Sequence, residues 1–118
     1  MIKVIIERKI KTGKESEAWD LLHELRSKAI QQSGYVTGET LMGYADSSLW
    51  FAIGTWLEAE NWQAWLNSPV RKTIVDREKA LIDAPIKTTL LKPLEEPIRG
   101  EDEVEQEEVE AEEELEQK

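Results

Sequence analysis

Residues 2–10 alternate between apolar and polar positions. Ile2, Val4, Ile6 and Ile10 fall on one face at period two, with Arg8 interrupting them, and Lys3, Ile5, Glu7 and Lys9 form the other. That alternation predicts a β-strand. Beyond the turn Thr12-Gly13-Lys14 the period lengthens. Ala18, Leu21, Leu22, Leu25 and Ala29 recur at the spacing of one helical face, which predicts a helix to about Gln32. Trp19, Arg26, Ile30 and His23 flank that stripe, His23 furthest out, and Ser33-Gly34 ends the helix in a left-handed cap.

Tyr35 to about Tyr44 reads as a second strand, joined through a turn at Asp46-Ser47-Ser48 to a third from Leu49 to Leu57. The third strand is apolar on both sides: Leu49, Phe51 and Ile53 point one way, and Trp50, Ala52, Gly54 and Trp56 the other. A strand with one face in water alternates with polar residues, so both faces here are expected to be covered. Helices can supply one cover; a second copy of the chain is the expected source of the other, making a homodimer. Glu58 to Asn67 reads as a short helix with Trp62, Trp65 and Leu66 on one side. Ser68-Pro69 opens another helix to about Ile82, with Val70, Ile74, Leu81 and Ile82 as its apolar side. Ile86 to Lys92 is the last predicted strand. The order β-α-β-β-α-β is the split βαβ pattern of a ferredoxin-like α+β sandwich on an antiparallel sheet.

Charge divides the chain into two parts. Of the 118 residues, 95–118 carry a net charge of −11 and the remaining 94 a net of +1. One ferredoxin-like domain over residues 1–94 is therefore expected, followed by a Glu-rich tail too poor in apolar residues to build a core. A tail of this sign repels nucleic acid and anionic lipid, and points instead to a basic partner. The absence of cysteine excludes disulfides, thiolate metal sites and a thiol nucleophile. A single histidine and no metal-spaced carboxylate cluster in the body give no expected metal. No apolar run reaches the ~20 residues that span a bilayer, so a cytoplasmic protein is expected.

The run Gly54-Thr-Trp-Leu-Glu-Ala-Glu-Asn-Trp-Gln-Ala-Trp-Leu-Asn-Ser-Pro69 resembles the strand-helix signature of antibiotic biosynthesis monooxygenase domains, as do Lys-Thr-Gly-Lys-Glu after the first strand and Ser33-Gly34-Tyr35. The resemblance spans about residues 1–93. It implies a dimeric α+β barrel and a range of chemistries: cofactor-free oxygenation of phenols, anthrones or quinols, haem degradation, or isomerisation. Trp65 is similar to the tryptophan of the haem-degrading branch. The stretch corresponding to that branch's axial histidine is Thr73-Ile74-Val75-Asp76-Arg77, and its first-strand asparagine falls on Ile6, so haem degradation is disfavoured. Oxygenation of a small electron-rich aromatic without a cofactor is the first expectation; a non-catalytic dimeric scaffold with a partner-binding tail is the alternative.

Several residues suit such chemistry. Trp62, Trp65 and Trp50, with Ile6 and Asn61, are candidates to hold a flat substrate, although large rings also serve simply as core and interface filling. Arg8 can stabilise a phenolate or carboxylate, or instead pair with a carboxylate such as Glu39 or Glu24. Tyr35 can donate to a substrate oxygen. His23 is a candidate proton shuttle by residue type but lies on a solvent flank.

Overall fold

The computed structural model describes residues 1–99. Strand β1 is Ile2–Lys9, helix α1 Glu15–Ala29, β2 Tyr35–Met42, β3 Leu49–Trp56, α2 Ala59–Leu66, α3 Pro69–Glu78 and β4 Lys87–Leu91. The strands form one antiparallel sheet in the order β2-β3-β1-β4, the ferredoxin-like arrangement that the element order predicts.

The period-two face of β1 turns toward the helices: Val4, Ile6, Arg8 and Ile10 are all buried. Ala18, Leu21, Leu25 and Ala29 of α1 pack on it, joined by Trp50 and Trp56 from β3, Trp62 and Trp65 from α2, and Ile74 and Leu81. Register fixes this face as rows. Val4 stands opposite Gly54, which stands opposite Gly38; Ile6, Ala52 and Thr40 form the next row; Arg8, Trp50 and Met42 the one after.

The link between α1 and β2 turns on Gly34. Its φ of +83° lies in the left-handed region, and an added Cβ would come within 2.2 Å of the Asn61 side chain, so glycine is required twice over. Helix α2 begins where the Glu58 N–H donates to Asn61 Oδ1 at 3.1 Å. Ser68 caps α3 by accepting from the Arg71 N–H at 3.2 Å, with Pro69 in the first turn.

Two features of the third helix differ from the sequence reading. It ends at Glu78, and Lys79–Leu81 form a single 3-10 turn. That turn is tied to the end of β1 by Lys11 N–H to Leu81 O and Asp83 N–H to Lys9 O, both 2.9 Å, and Ile82 bridges to Ile10. The sheet thus draws the chain out of the helix before Ile82. In addition, Val70 is exposed, whereas Arg71 and Glu78 are buried with Ile74. The spacing 71, 74, 78 puts these three on one side of the helix, and the capped start at Ser68 turns that side inward.

Among the described residues no element lies over the opposite sheet face. Ile5, Phe51 and Ile53 are half-buried there, and Leu41 and Leu91 are exposed. No helix of the described residues is long and apolar enough to cross a membrane. Residues 95–99 follow β4 without regular structure, and the rest of the predicted acidic tail lies outside the described residues.

Candidate functional site

Small residues on the helix-facing side of the sheet leave space above it. Gly38, Ala52 and Gly54 floor a pocket whose walls come from Ile6, Arg8, Tyr35, Trp56, Trp62, Trp65 and Arg71, with α1 overhanging through Leu22, Leu25 and Ala29. The space it encloses is about 90 Å³. The glycines matter because of close approach: a Cβ on Gly38 would meet the Tyr35 hydroxyl at 2.6 Å, and one on Gly54 would meet the Trp56 indole nitrogen at 3.3 Å.

The aromatic wall is continuous. Tyr35 meets Trp56 edge to face at 5.4 Å between ring centroids, Trp56 meets Trp62 at 6.1 Å and 61°, and the Arg71 guanidinium lies over Trp62, 5.3 Å from its centroid. These are the offset geometries that ring quadrupoles favour. Trp56 and Trp62 are each 2% exposed, so the rings that line the pocket also form the core and are fixed by it.

Buried charge adjoins the aromatic wall. Arg8 is 1% exposed and donates from Nε to Glu78 Oε2 at 2.7 Å. The partner expected from sequence was Glu39 or Glu24; Glu24 instead pairs with Arg77 across α1 and α3, and Glu39 is exposed on β2. Glu78 wins because it lies on the buried side of α3, facing the sheet. Arg71, also buried, adds a second cation to this single carboxylate. Burial, and then the charge of Arg8, hold its guanidinium below the ordinary arginine pKa, with Glu78 acting in the opposite direction. Arg8 Nη2, Arg71 Nε and Glu78 Oε1 have no hydrogen-bond partner among the described residues.

Of the sequence candidates, Ile6, Arg8, Tyr35, Trp62 and Trp65 come together around this pocket. The Tyr35 hydroxyl makes no hydrogen bond among the described residues, which leaves it available to a bound molecule. Trp50 and His23 are placed elsewhere. They line a neighbouring surface groove with Trp19, Arg26, Leu41 and Met42, and Trp50 donates its indole N–H to Ser47 O. His23 is exposed, stacks against Trp19 at 4.4 Å, and keeps Nδ1 2.8 Å from the Trp19 carbonyl, so its neutral form carries the proton on Nδ1. Asn61 serves the α2 cap and packs against Gly34, outside the pocket lining. Arg71, Glu78 and the small-residue floor are not among the sequence candidates. For Arg71 and Glu78 the available signal was their spacing with Ile74. Among the described residues no group of three His, Cys, Asp or Glu is placed to hold a metal ion.

Solved structures share this architecture. The chain superposes on SnoaB, a cofactor-independent oxygenase from Streptomyces nogalater, with a TM-score of 0.71 at 14% identity over 80% of this chain and 94% of that one. For Rv0793 from Mycobacterium tuberculosis the TM-score is 0.72 at 16% identity over 80% and 96% of the two chains. For a conserved protein from Methanosarcina mazei Go1 it is 0.73 at 14%, over 77% and 90%. At these identities the likeness is one of fold. Among curated proteins, none matches by sequence. The family described as antibiotic biosynthesis monooxygenase matches residues 1–77, most of the ferredoxin-like body including the signature at Gly54–Pro69, and the chain belongs to that family.

Proposed function

We propose that the protein is a cofactor-independent monooxygenase that oxidises a small electron-rich aromatic, of the quinol or anthrone kind, in the pocket between sheet and helices. The observation that carries this reading is the pairing of an aromatic-walled, small-residue-floored pocket with a buried guanidinium, Arg8, in its lining. Membership of the family, and the fold shared with a cofactor-independent oxygenase, support it.

The chemistry asks little of the protein. An acidic C–H or O–H of the substrate ionises, and a nearby permanent cation favours the anion in a low-dielectric site. The electron-rich anion reduces dioxygen, and the resulting radical pair combines to a peroxide on the ring carbon. Loss of water then leaves a carbonyl there: an anthrone methylene and one O₂ become a quinone carbonyl and one H₂O, with the substrate as the reductant. The proton passes to water at the open mouth, and one is taken back by the peroxide anion, so that it leaves in the product water. Arg8 and Arg71 stabilise the anion, Tyr35 can donate to a ring oxygen, and Trp62 and Trp65 hold the ring flat and exclude bulk water.

The working unit in this proposal is a homodimer, whose second copy covers Ile5, Phe51, Ile53, Leu41 and Leu91 on the open sheet face; light scattering at micromolar concentration should report twice the chain mass. The oxygenase reading is tested by oxygen uptake with a simple anthrone or hydroquinone. Uptake above the uncatalysed rate that falls at least tenfold in Trp65→Ala supports it. No uptake across quinols and anthrones would overturn it.

A further inference from the structure

Arg8, Arg71 and Glu78 form a buried cluster of two cations and one anion; the two arginines also line the pocket, where Arg26 and the exposed Glu39 add one charge of each sign. Glu78 pairs directly with Arg8 through the 2.7 Å contact, so the cluster keeps one surplus positive charge; Arg71, which feels Glu78 only through space, lies over the face of Trp62. Buried charges are ordinarily paired and their donors satisfied, because an unpartnered charged group loses its water without replacement. Here Arg71 is 8% exposed and Arg8 1%, yet Arg71 Nε and Arg8 Nη2 have no partner among the described residues, and both residues line the same cavity. Core packing alone gives no reason for a second guanidinium at this position. An incoming anion does: it would bring the cluster to neutrality and accept from both idle N–H groups.

We infer that the ligand of this pocket is already an anion when it binds, a carboxylate carried on an aromatic body, with its oxygens seated between Arg8 and Arg71 and its rings along Trp62, Trp65 and Trp56. Guanidinium donors match a carboxylate, which can accept from two N–H groups at once. A neutral phenol offers one oxygen and leaves the surplus charge in place. Glu78 then acts as a positioning residue: by occupying Arg8 Nε it orients the remaining donors of Arg8. This inference rests on the pocket being the substrate site, and narrows the substrate to acids.

The test is binding, separate from turnover. The full-length protein is titrated at pH 7 with 2-naphthoate, its neutral counterpart 2-naphthylmethanol, and 2-naphthol, following the indole N–H signals by NMR. The expected result is at least tenfold tighter binding of the carboxylate than of either neutral ring, with shifts at Trp62 and Trp65. In Arg71→Met the ratio of carboxylate to 2-naphthylmethanol affinity should fall to near one, whatever both ligands lose from the altered wall; Arg71→Lys should restore part of it. Equal affinity for acid and alcohol, an acid preference that survives Arg71→Met, or shifts confined to Trp19 and Trp50 would overturn the inference. Quinol oxidation without acid preference would overturn it and leave the oxygenase reading standing. Acid preference without oxygen uptake from any quinol would remove the oxygenase reading and leave the anion seat.

Discussion

Replacing Glu78 by glutamine would keep the volume and an acceptor for Arg8 Nε but delete the one negative charge in the cluster. At an effective dielectric constant of about 20, two unit charges 2.7 Å apart attract by roughly 6 kcal/mol. Desolvating each ion costs several kcal/mol, so the intact pair contributes little net stability against apolar residues of the same size. The single variant is different. It strands Arg8 beside Arg71, two buried guanidiniums with no counterion, and removing one member of a buried pair costs about 3–5 kcal/mol. The glutamine carbonyl can still accept a neutral hydrogen bond, which places the expectation near 3. For a domain of this size each kcal/mol moves Tm by about 4–8 °C, so the transition should fall by at least about 12 °C.

Urea unfolding at 25 °C measures this directly, and a cycle sharpens it. Arg8→Met with Glu78→Leu should lie within about 1.5 kcal/mol of the parent, since both charges leave together. Arg71→Met alone should be close to neutral: it loses the contact with Trp62 but relieves repulsion from Arg8. Placed on Glu78→Gln, the same change should recover about 1 kcal/mol or more, because one stranded cation is removed. If Glu78→Gln unfolds within about 1 kcal/mol of the parent, or Arg71→Met deepens its loss, the cluster does not carry the surplus charge described here.

Three further outcomes follow from the same geometry. Ala52→Leu adds a side chain to the pocket floor, and should reduce turnover or ligand binding at least tenfold while costing no more than about 1–3 kcal/mol in urea. Asn61→Ala removes the acceptor for the Glu58 N–H and should cost about 0.5–1 kcal/mol without altering binding, which separates its capping role from a ligand role. Asp46 accepts from both the hydroxyl and the N–H of Ser48, which holds its carboxyl below the usual 3.8. Its contribution to the hairpin is therefore complete above about pH 4 and is lost as pH falls through the lowered value. An NMR titration should place its midpoint below 3.8, and Ser48→Ala should move it back up.

Much of the fold is written in periodicity because burial imposes it. The β1 face, the α1 stripe and the Ser68-Pro69 start all lie where the chain's alternation places them, since each is set by one local rule and one buried side. The end of α3 is not local: the ladder between Leu81, Ile82 and β1 decides it, against a helical pattern that would run on. Arg71 and Glu78 were illegible for a related reason. A charged residue on a helix is read as facing water, and that prior fails where two charged side chains from α3 and one from β1 are buried together. Arg8 was the visible half of this arrangement, an interruption in an apolar face whose partner lies 70 residues away. The pocket escaped for the opposite reason, because Gly38, Ala52 and Gly54 mark it by what they lack.

The tryptophans show why core and site could not be separated from sequence. A ring that fills the core and a ring that walls a pocket require the same residue type at the same helical spacing, and Trp56, Trp62 and Trp65 do both. The two roles support each other: rings held edge to face by their neighbours lose little further freedom when a flat ligand arrives, so less of the binding energy is spent on ordering the wall. The charged end follows a different logic. Apolar packing would be at least as stable as the Arg8–Glu78 pair, and Arg71 adds desolvation that the Trp62 face and a shared Glu78 offset only in part. Stability alone would therefore favour replacing this corner, which is the pattern expected where a binding requirement, rather than the core, sets the residues.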